Sequence, residues 1–171
     1  MVVVKKYIWI FAFMGGIISL IALLTPAAGL NYRSPSFDND FYLWMFNLFF
    51  SHRFEAGIHT TRIEFDTHLI SLIPSIICSL LITISSIITI ITANKYRKGV
   101  LNTKISWLIS AIVIIIATII WMIMMEISRK VLYGHEFWGI LYPSFGVIGP
   151  FIGASLEIVA FILMKKNLRS S

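Results

Sequence analysis

Eight acids, four histidines and one cysteine are the side chains of this 171-residue sequence on which chemistry would have to rest. One acid, Glu157, stands inside an apolar stretch, eight residues before Lys165. An ionisable group in hydrocarbon is a functional candidate by default, because placing a carboxylate there costs a few kcal/mol. It reads either as a proton or cation site, or as an acid hydrogen-bonded to a neighbouring helix, with Thr83 or Ser86 as partners. No second acid or base shares an apolar stretch with it, so a relay lacks its next station. His52, His59, His68 and His135 fall in polar segments with Glu55, Glu64, Asp66 and Glu136. His52-x-x-Glu55 and Glu55-x-x-x-His59 would share a face only on a helix, which Gly57 disfavours. No His-Glu-x-x-His and no Cys/His ligand spacing occurs, so neither a metal nor a catalytic residue is expected. Cys78 is alone, which excludes an intrachain disulfide, and reads as a small buried residue. The glycines of 146–153 lack the G-x-G-x-x-G order of a dinucleotide site, and no cofactor is expected.

The elements that must carry these residues are apolar. The chain is 58% hydrophobic and only 13% charged, against about 25% charged in an ordinary soluble domain. Its mean hydropathy is +0.87. About 20 apolar residues cross a bilayer core as a helix, and four stretches have that length: 7–28, 68–92, 105–125 and 142–164. Helices are expected because each backbone group must find its partner within its own segment in lipid. The fold expected is an all-α membrane protein: one domain over 1–171, a four-transmembrane-helix bundle with a large first outer loop that has room for a short β element. Lys5 and Lys6, an apolar run and Thr25-Pro26-Ala27-Ala28 also resemble a secretory signal. The run is longer than the usual h-region of about 7 to 15 residues, which favours a retained anchor.

Charge orients the spans. Lys5, Lys6, Lys95, Arg97, Lys98, Lys104, Lys165, Lys166 and Arg169 fall on one side with no acid among them. The other side holds Arg33, Arg53, Arg62, Arg129 and Lys130 against seven acids. The positive-inside rule puts both termini and the 93–104 turn in the cytoplasm, with the plasma membrane as the default bilayer. The net charge of +6 is thus a topology signal, and no nucleic-acid partner is expected. Outer loops cover 29–67 and 126–141.

In the first outer loop, 41–50 is apolar on nearly every side and reads as an interfacial helix or a strand pair, which periodicity does not separate. Thr60–Thr67 alternates, with Thr61, Ile63, Phe65 and Thr67 on one face and Arg62, Glu64 and Asp66 on the other, as in a half-exposed strand. Trp44, Phe49, Arg62, Glu64 and Asp66 are the candidate recognition residues. Within the spans, Ser71, Ser75, Ser79 and Thr83 recur every four residues, with Ser86 beyond them. Gly15-x-x-x-Ser19 and Gly149-x-x-x-Gly153 are small-residue pairs of the kind that let helices approach closely. These residues predict packing among spans one, two and four, with the Ile-rich third span turned more to lipid. A polar lining for a permeation path is the alternative for the hydroxyls.

The layout and Tyr42-Leu43-Trp44, followed by a strand at 60–67, resemble the claudin and peripheral-myelin-protein type of four-span membrane protein. In that family the first outer loop forms a small sheet and carries a Trp, a Gly-Leu-Trp and two cysteines. Here Tyr42 stands in the glycine's place and both cysteines are absent. The resemblance implies a non-enzymatic scaffold, adhesion or assembly protein, or an accessory subunit of a membrane complex. Its partners would be the lipid bilayer and further copies or another membrane protein. The alternative is a small oligomeric channel or transporter using Glu157, and a membrane enzyme using the outer histidines and acids ranks third.

Overall fold

The computed structural model describes residues 2–34, 37–55, 57–100 and 105–169, with backbone alone for 2–6 and 166–169. Of the basic side chains that orient the spans, Lys5, Lys6, Lys104, Lys166 and Arg169 lie outside this description. In chain order the elements are α1 (Val2–Leu23), β1 (Ala28–Ser34), β2 (Phe37–Leu43), β3 (Leu48–Glu55), β4 (Ile58–Phe65), α2 (Leu69–Arg97), α3 (Ile105–Tyr133), β5 (Tyr142–Pro143) and α4 (Phe145–Arg169).

This corrects the expected all-α class. A five-stranded antiparallel sheet, ordered β4-β3-β2-β1-β5, accompanies the helices. Among the described residues, three helices are long and apolar enough to cross a membrane: Leu69–Arg97, Ile105–Tyr133 and Phe145–Lys165. That is compatible with an integral membrane protein. The expected four-transmembrane-helix bundle is not supported, because among the described residues the apolar stretch of α1, Tyr7–Leu23, is shorter than these. α1 stops where Thr25 N–H closes on Ala22 O at 3.0 Å, and Pro26 has no N–H with which to continue the ladder. Ala28, the expected end of the first span, therefore begins β1. The 41–50 run is a strand pair: Leu43 lies opposite Phe49 across the turn 44–47.

Contacts divide the molecule into two compact units. The first comprises Met1–Ile21, Leu80–Thr118 and Gly149–Ser171. Ile8, Ala12, Ala93, Trp107, Ala160 and Met164 form one of its cores, and Ala111, Ile114 and Ala154 another. Small residues let three helices meet here. A Cβ on Gly15 would lie 2.5 Å from Gly153 O, and one on Gly16 2.9 Å from Ser86 O. Ser19 Oγ donates back to Gly15 O at 3.0 Å, so it adds no unpaired donor to this contact. Trp107 Nε1 finds Thr92 Oγ1 at 3.0 Å, as a buried indole must find an acceptor.

The second unit comprises Ala22–Ser79 and Ile119–Ile148. Pro74 lies inside α2, and its missing N–H frees the carbonyl of Ile70. Ser128 Oγ, on α3, donates to that carbonyl at 3.1 Å. Trp121 Nε1 donates to Ser75 Oγ at 3.1 Å. Glu126 organises the segment after α3: its carboxylate accepts from Phe137 N and Trp138 N at 2.9 and 3.1 Å. β5 then pairs Pro143 with Ala28 and Tyr142 with Gly29. Ser144 N–H donates to Ala27 O at 2.9 Å, and Gly146 N–H to Pro26 O at 2.8 Å. A Cβ on Gly146 would strike the Pro26–Ala27 backbone at 2.7 Å.

The third span is not the lipid-facing outlier expected of it. α3 buries Trp107, Ala111, Ile114, Thr118, Trp121, Met125 and Ser128, a stripe at three- and four-residue steps along one helix face.

Candidate functional site

The site is built on a turn. Between β2 and β3, Asn47 takes φ 69°, a left-handed conformation that asparagine tolerates better than most side chains. Its own N–H reaches Trp44 O at 3.0 Å, and Trp44 N–H reaches Leu48 O at 2.9 Å. The fully buried side chain then acts as a clamp. Asn47 Nδ2 donates to Asp66 O at 2.8 Å and lies 3.2 Å from Ser71 Oγ, while Asp66 N–H donates to Asn47 O at 3.0 Å. One residue thus ties the turn to the end of β4 and the start of α2. Asp66 completes the junction: Oδ1 accepts from His68 N at 3.0 Å and Oδ2 from Ser71 Oγ at 2.9 Å. A carboxylate beside the first turn of a helix also meets the positive end of its dipole.

Next to this junction lies a pocket of about 290 Å³. The register puts Phe41, Phe49 and Glu64 on one face of the sheet. That face forms one wall, with Asp66 and His68 at its end and Ser128, Arg129, Tyr133 and Phe137 opposite. The Phe41 and Phe49 rings stack at 5.9 Å. The Arg129 guanidinium lies over Tyr133 at 4.9 Å and over Phe41 at 6.0 Å from the ring centroids. Among the described residues its partners are these aromatic faces and no carboxylate; the ion pair found there joins Arg53 to Glu55.

Phe49, Glu64 and Asp66 are brought together in this pocket, while Arg62 borders an adjoining groove with Asn39, Ser51 and Glu55. Trp44 lies apart, its Nε1 donating to Leu24 O at 3.1 Å. Arg129, Tyr133 and Asn47 escaped the sequence reading. Arg129 and Tyr133 stand four residues apart, as same-face helix neighbours do, and Asn47 is the one polar residue in an otherwise apolar 41–50 run. The four histidines do not converge on one site. His52 and His59 stack at 5.6 Å on the sheet, His68 caps α2, and His135 is exposed. Among the described residues no three His, Cys, Asp or Glu side chains are placed to hold a metal ion.

The sheet has a second feature. β4 is its outer strand, and all eight of its residues are exposed. Ile58, Ile63 and Phe65 are 68, 65 and 58% exposed.

In the other unit, Glu157 is fully buried on α4, and a Cβ on Gly15 would meet its Cγ at 2.9 Å. Both carboxyl oxygens lack a hydrogen-bond partner among the described residues, as do Ser86 Oγ and Thr89 Oγ1. Thr89 is the hydroxyl beside the carboxyl, one turn beyond Ser86. Of the hydroxyl row on α2, Ser71 and Ser75 are buried, and Ser79 and Thr83 are half-buried. A four-residue repeat drifts by about 40° per step around a helix of 3.6 residues per turn. The buried stripe instead continues through Cys78, Ile82, Ser86 and Thr89. Gly149 is buried on α4.

Comparison of the chain with protein-family models and with curated proteins finds no match.

Proposed function

We propose that this protein is a non-enzymatic membrane protein that assembles, with copies of itself or as an accessory subunit, through its outer sheet. The observation that carries the reading is the open edge of β4, eight exposed residues long. An outer strand presents a row of unpaired N–H and C=O groups, and natural sheets protect such rows with charge, bulges or a covering element unless they are used. Here two of the eight positions are charged, Arg62 and Glu64, and apolar residues flank them. The sheet drawn from the first outer loop, with Tyr42-Leu43-Trp44 at the end of β2, supports a likeness to the claudin and peripheral-myelin-protein type. The excess of Lys and Arg around 95–98 and after α4 supports a cytoplasmic position for those two segments, which three crossings by α2, α3 and α4 allow. The sheet would then face outward, at the plasma membrane.

The test is the native mass of the complex extracted gently from its own membrane. Copies of the chain, or one heavier protein in fixed ratio, are expected. Ile63→Lys should weaken that assembly without loss of fold, since exposed substitutions usually change stability by less than about 0.5 kcal/mol. A monomer in wild type, or an assembly untouched by edge charges, would sink the reading. A second reading rests on the fully buried Glu157 carboxyl beside the Thr89 hydroxyl: a small channel or transporter, in which Glu157→Gln abolishes flux through liposomes.

A further inference from the structure

We infer that the pocket beneath the sheet holds the headgroup of a zwitterionic phospholipid, its phosphate on Arg129 and its ammonium beside Glu64. The inference rests on the membrane setting of the chain and not on its assembly through β4.

Three observations carry it. Charge is divided across the pocket: Arg129 stands on the helical wall, while Glu64 and Asp66 stand at the sheet wall and its end. Neither Arg129 nor Glu64 has an ion-pair partner among the described residues. Asp66 is engaged by His68 and Ser71 on both oxygens, which leaves Glu64 as the free anionic group. A ligand bearing one charge of each sign, a few ångströms apart, answers both. A purely anionic ligand would meet the two carboxylates, and a purely cationic one would meet Arg129.

The lining is aromatic as well. Phe41, Phe49, Tyr133 and Phe137 stand around the space, and aromatic faces attract ammonium groups, quaternary ones included. Arg129 already spends two of those faces on its own guanidinium, which holds the fork in place for a bidentate phosphate contact.

Size and position agree. About 290 Å³ is at the lower end of small-molecule sites, so a headgroup fits and its chains must lie outside. Leu69 at the start of α2 and Val131 near the end of α3 are 70% and 66% exposed. Each adjoins a lining residue in the chain, His68 and Leu132, without lining the pocket itself.

The experiment measures which lipids stay with the purified full chain. The protein is reconstituted in vesicles of equal parts phosphatidylcholine, phosphatidylethanolamine and phosphatidylglycerol, extracted in mild detergent and weighed intact. One zwitterionic lipid per chain is expected, enriched over phosphatidylglycerol. Arg129→Gln should lower its retention about tenfold, the scale of one lost charge-assisted contact. Glu64→Gln, on an exposed strand, should leave the fold intact and move retention towards phosphatidylglycerol, a shift that lost packing would not produce. Soluble glycerophosphocholine should displace the lipid if the headgroup is the recognised part. Retention in the bulk ratio, or an unchanged lipid preference in Glu64→Gln, would overturn the inference.

Discussion

Asn47 concentrates the problem of building a site on an outer loop. Its backbone is left-handed and its side chain is fully buried. Its amide contacts Asp66 O and Ser71 Oγ, two groups that belong to the end of β4 and the start of α2. Replacing it by alanine strains φ by about 1 kcal/mol and strands buried polar partners at about 1–3 kcal/mol. Asn47→Gly removes the strain and keeps the loss of the side chain. Thermal unfolding in detergent should therefore rank the variants wild type above Asn47→Gly above Asn47→Ala. Equal melting of the two variants would show that the backbone conformation carries no cost. Glu157 presents the opposite case, a fully buried carboxyl with the Thr89 hydroxyl beside it and no network comparable to that of Asn47.

At the scale of elements, small residues set how closely helices come. Gly15 and Gly153 face each other so closely that a methyl group on either would meet the other's carbonyl oxygen at 2.5 Å. Backbone cannot yield as a flexible side chain can, so Gly153→Ala should cost about 1–3 kcal/mol as an overpacking change. Gly57 has open space around a Cβ but φ +83°, so Gly57→Ala should cost about 1 kcal/mol through backbone strain alone. Calibrated unfolding of both variants separates the two causes, and a Gly153→Ala variant as stable as wild type would refute the close approach. α2 and α3 solve a different problem together. Proline in α2 leaves the carbonyl of Ile70 unpaired within its helix, and a serine on α3 donates to it. Such a pair is stable only where the two helices are held in one register.

For the molecule as a whole, the decisive question is which side of the membrane each segment occupies. Cys78 is buried and is the sole cysteine, so a Cys78→Ser background allows single reporters. Thr60→Cys, on exposed β4, should react with an impermeant maleimide on intact cells. Lys98→Cys, beyond α2, should react only after the membrane is opened. Reaction of both reporters on intact cells, or of Lys98→Cys alone, would invert or void the orientation read from the basic residues.

The chain's own order of residues determined what depends on near neighbours. The apolar runs behind α2, α3 and α4 are legible because a helix closes its hydrogen bonds within four residues and lipid demands apolar side chains throughout. Their ends were less legible: α3 continues past Met125 to Tyr133, through Glu126 and Arg129, because a helix does not need apolar residues once it leaves lipid. The alternation of 60–67 marked a strand by its period of two, but β4 runs Ile58–Phe65 and is exposed at all eight positions, not half-exposed. The all-α class failed because β1, β2 and β3 carry no clean alternation, and their pairing is a choice among distant partners. β5 is the extreme case, two residues joined to Ala28 and Gly29 from the far end of the chain. The site was half legible on the same ground. Phe49, Glu64 and Asp66 lie within the one outer loop, 29–67, that the sequence marks as the place of recognition. Arg129 and Tyr133 complete the pocket from a helix more than sixty residues away, and only folding could bring that wall to the sheet.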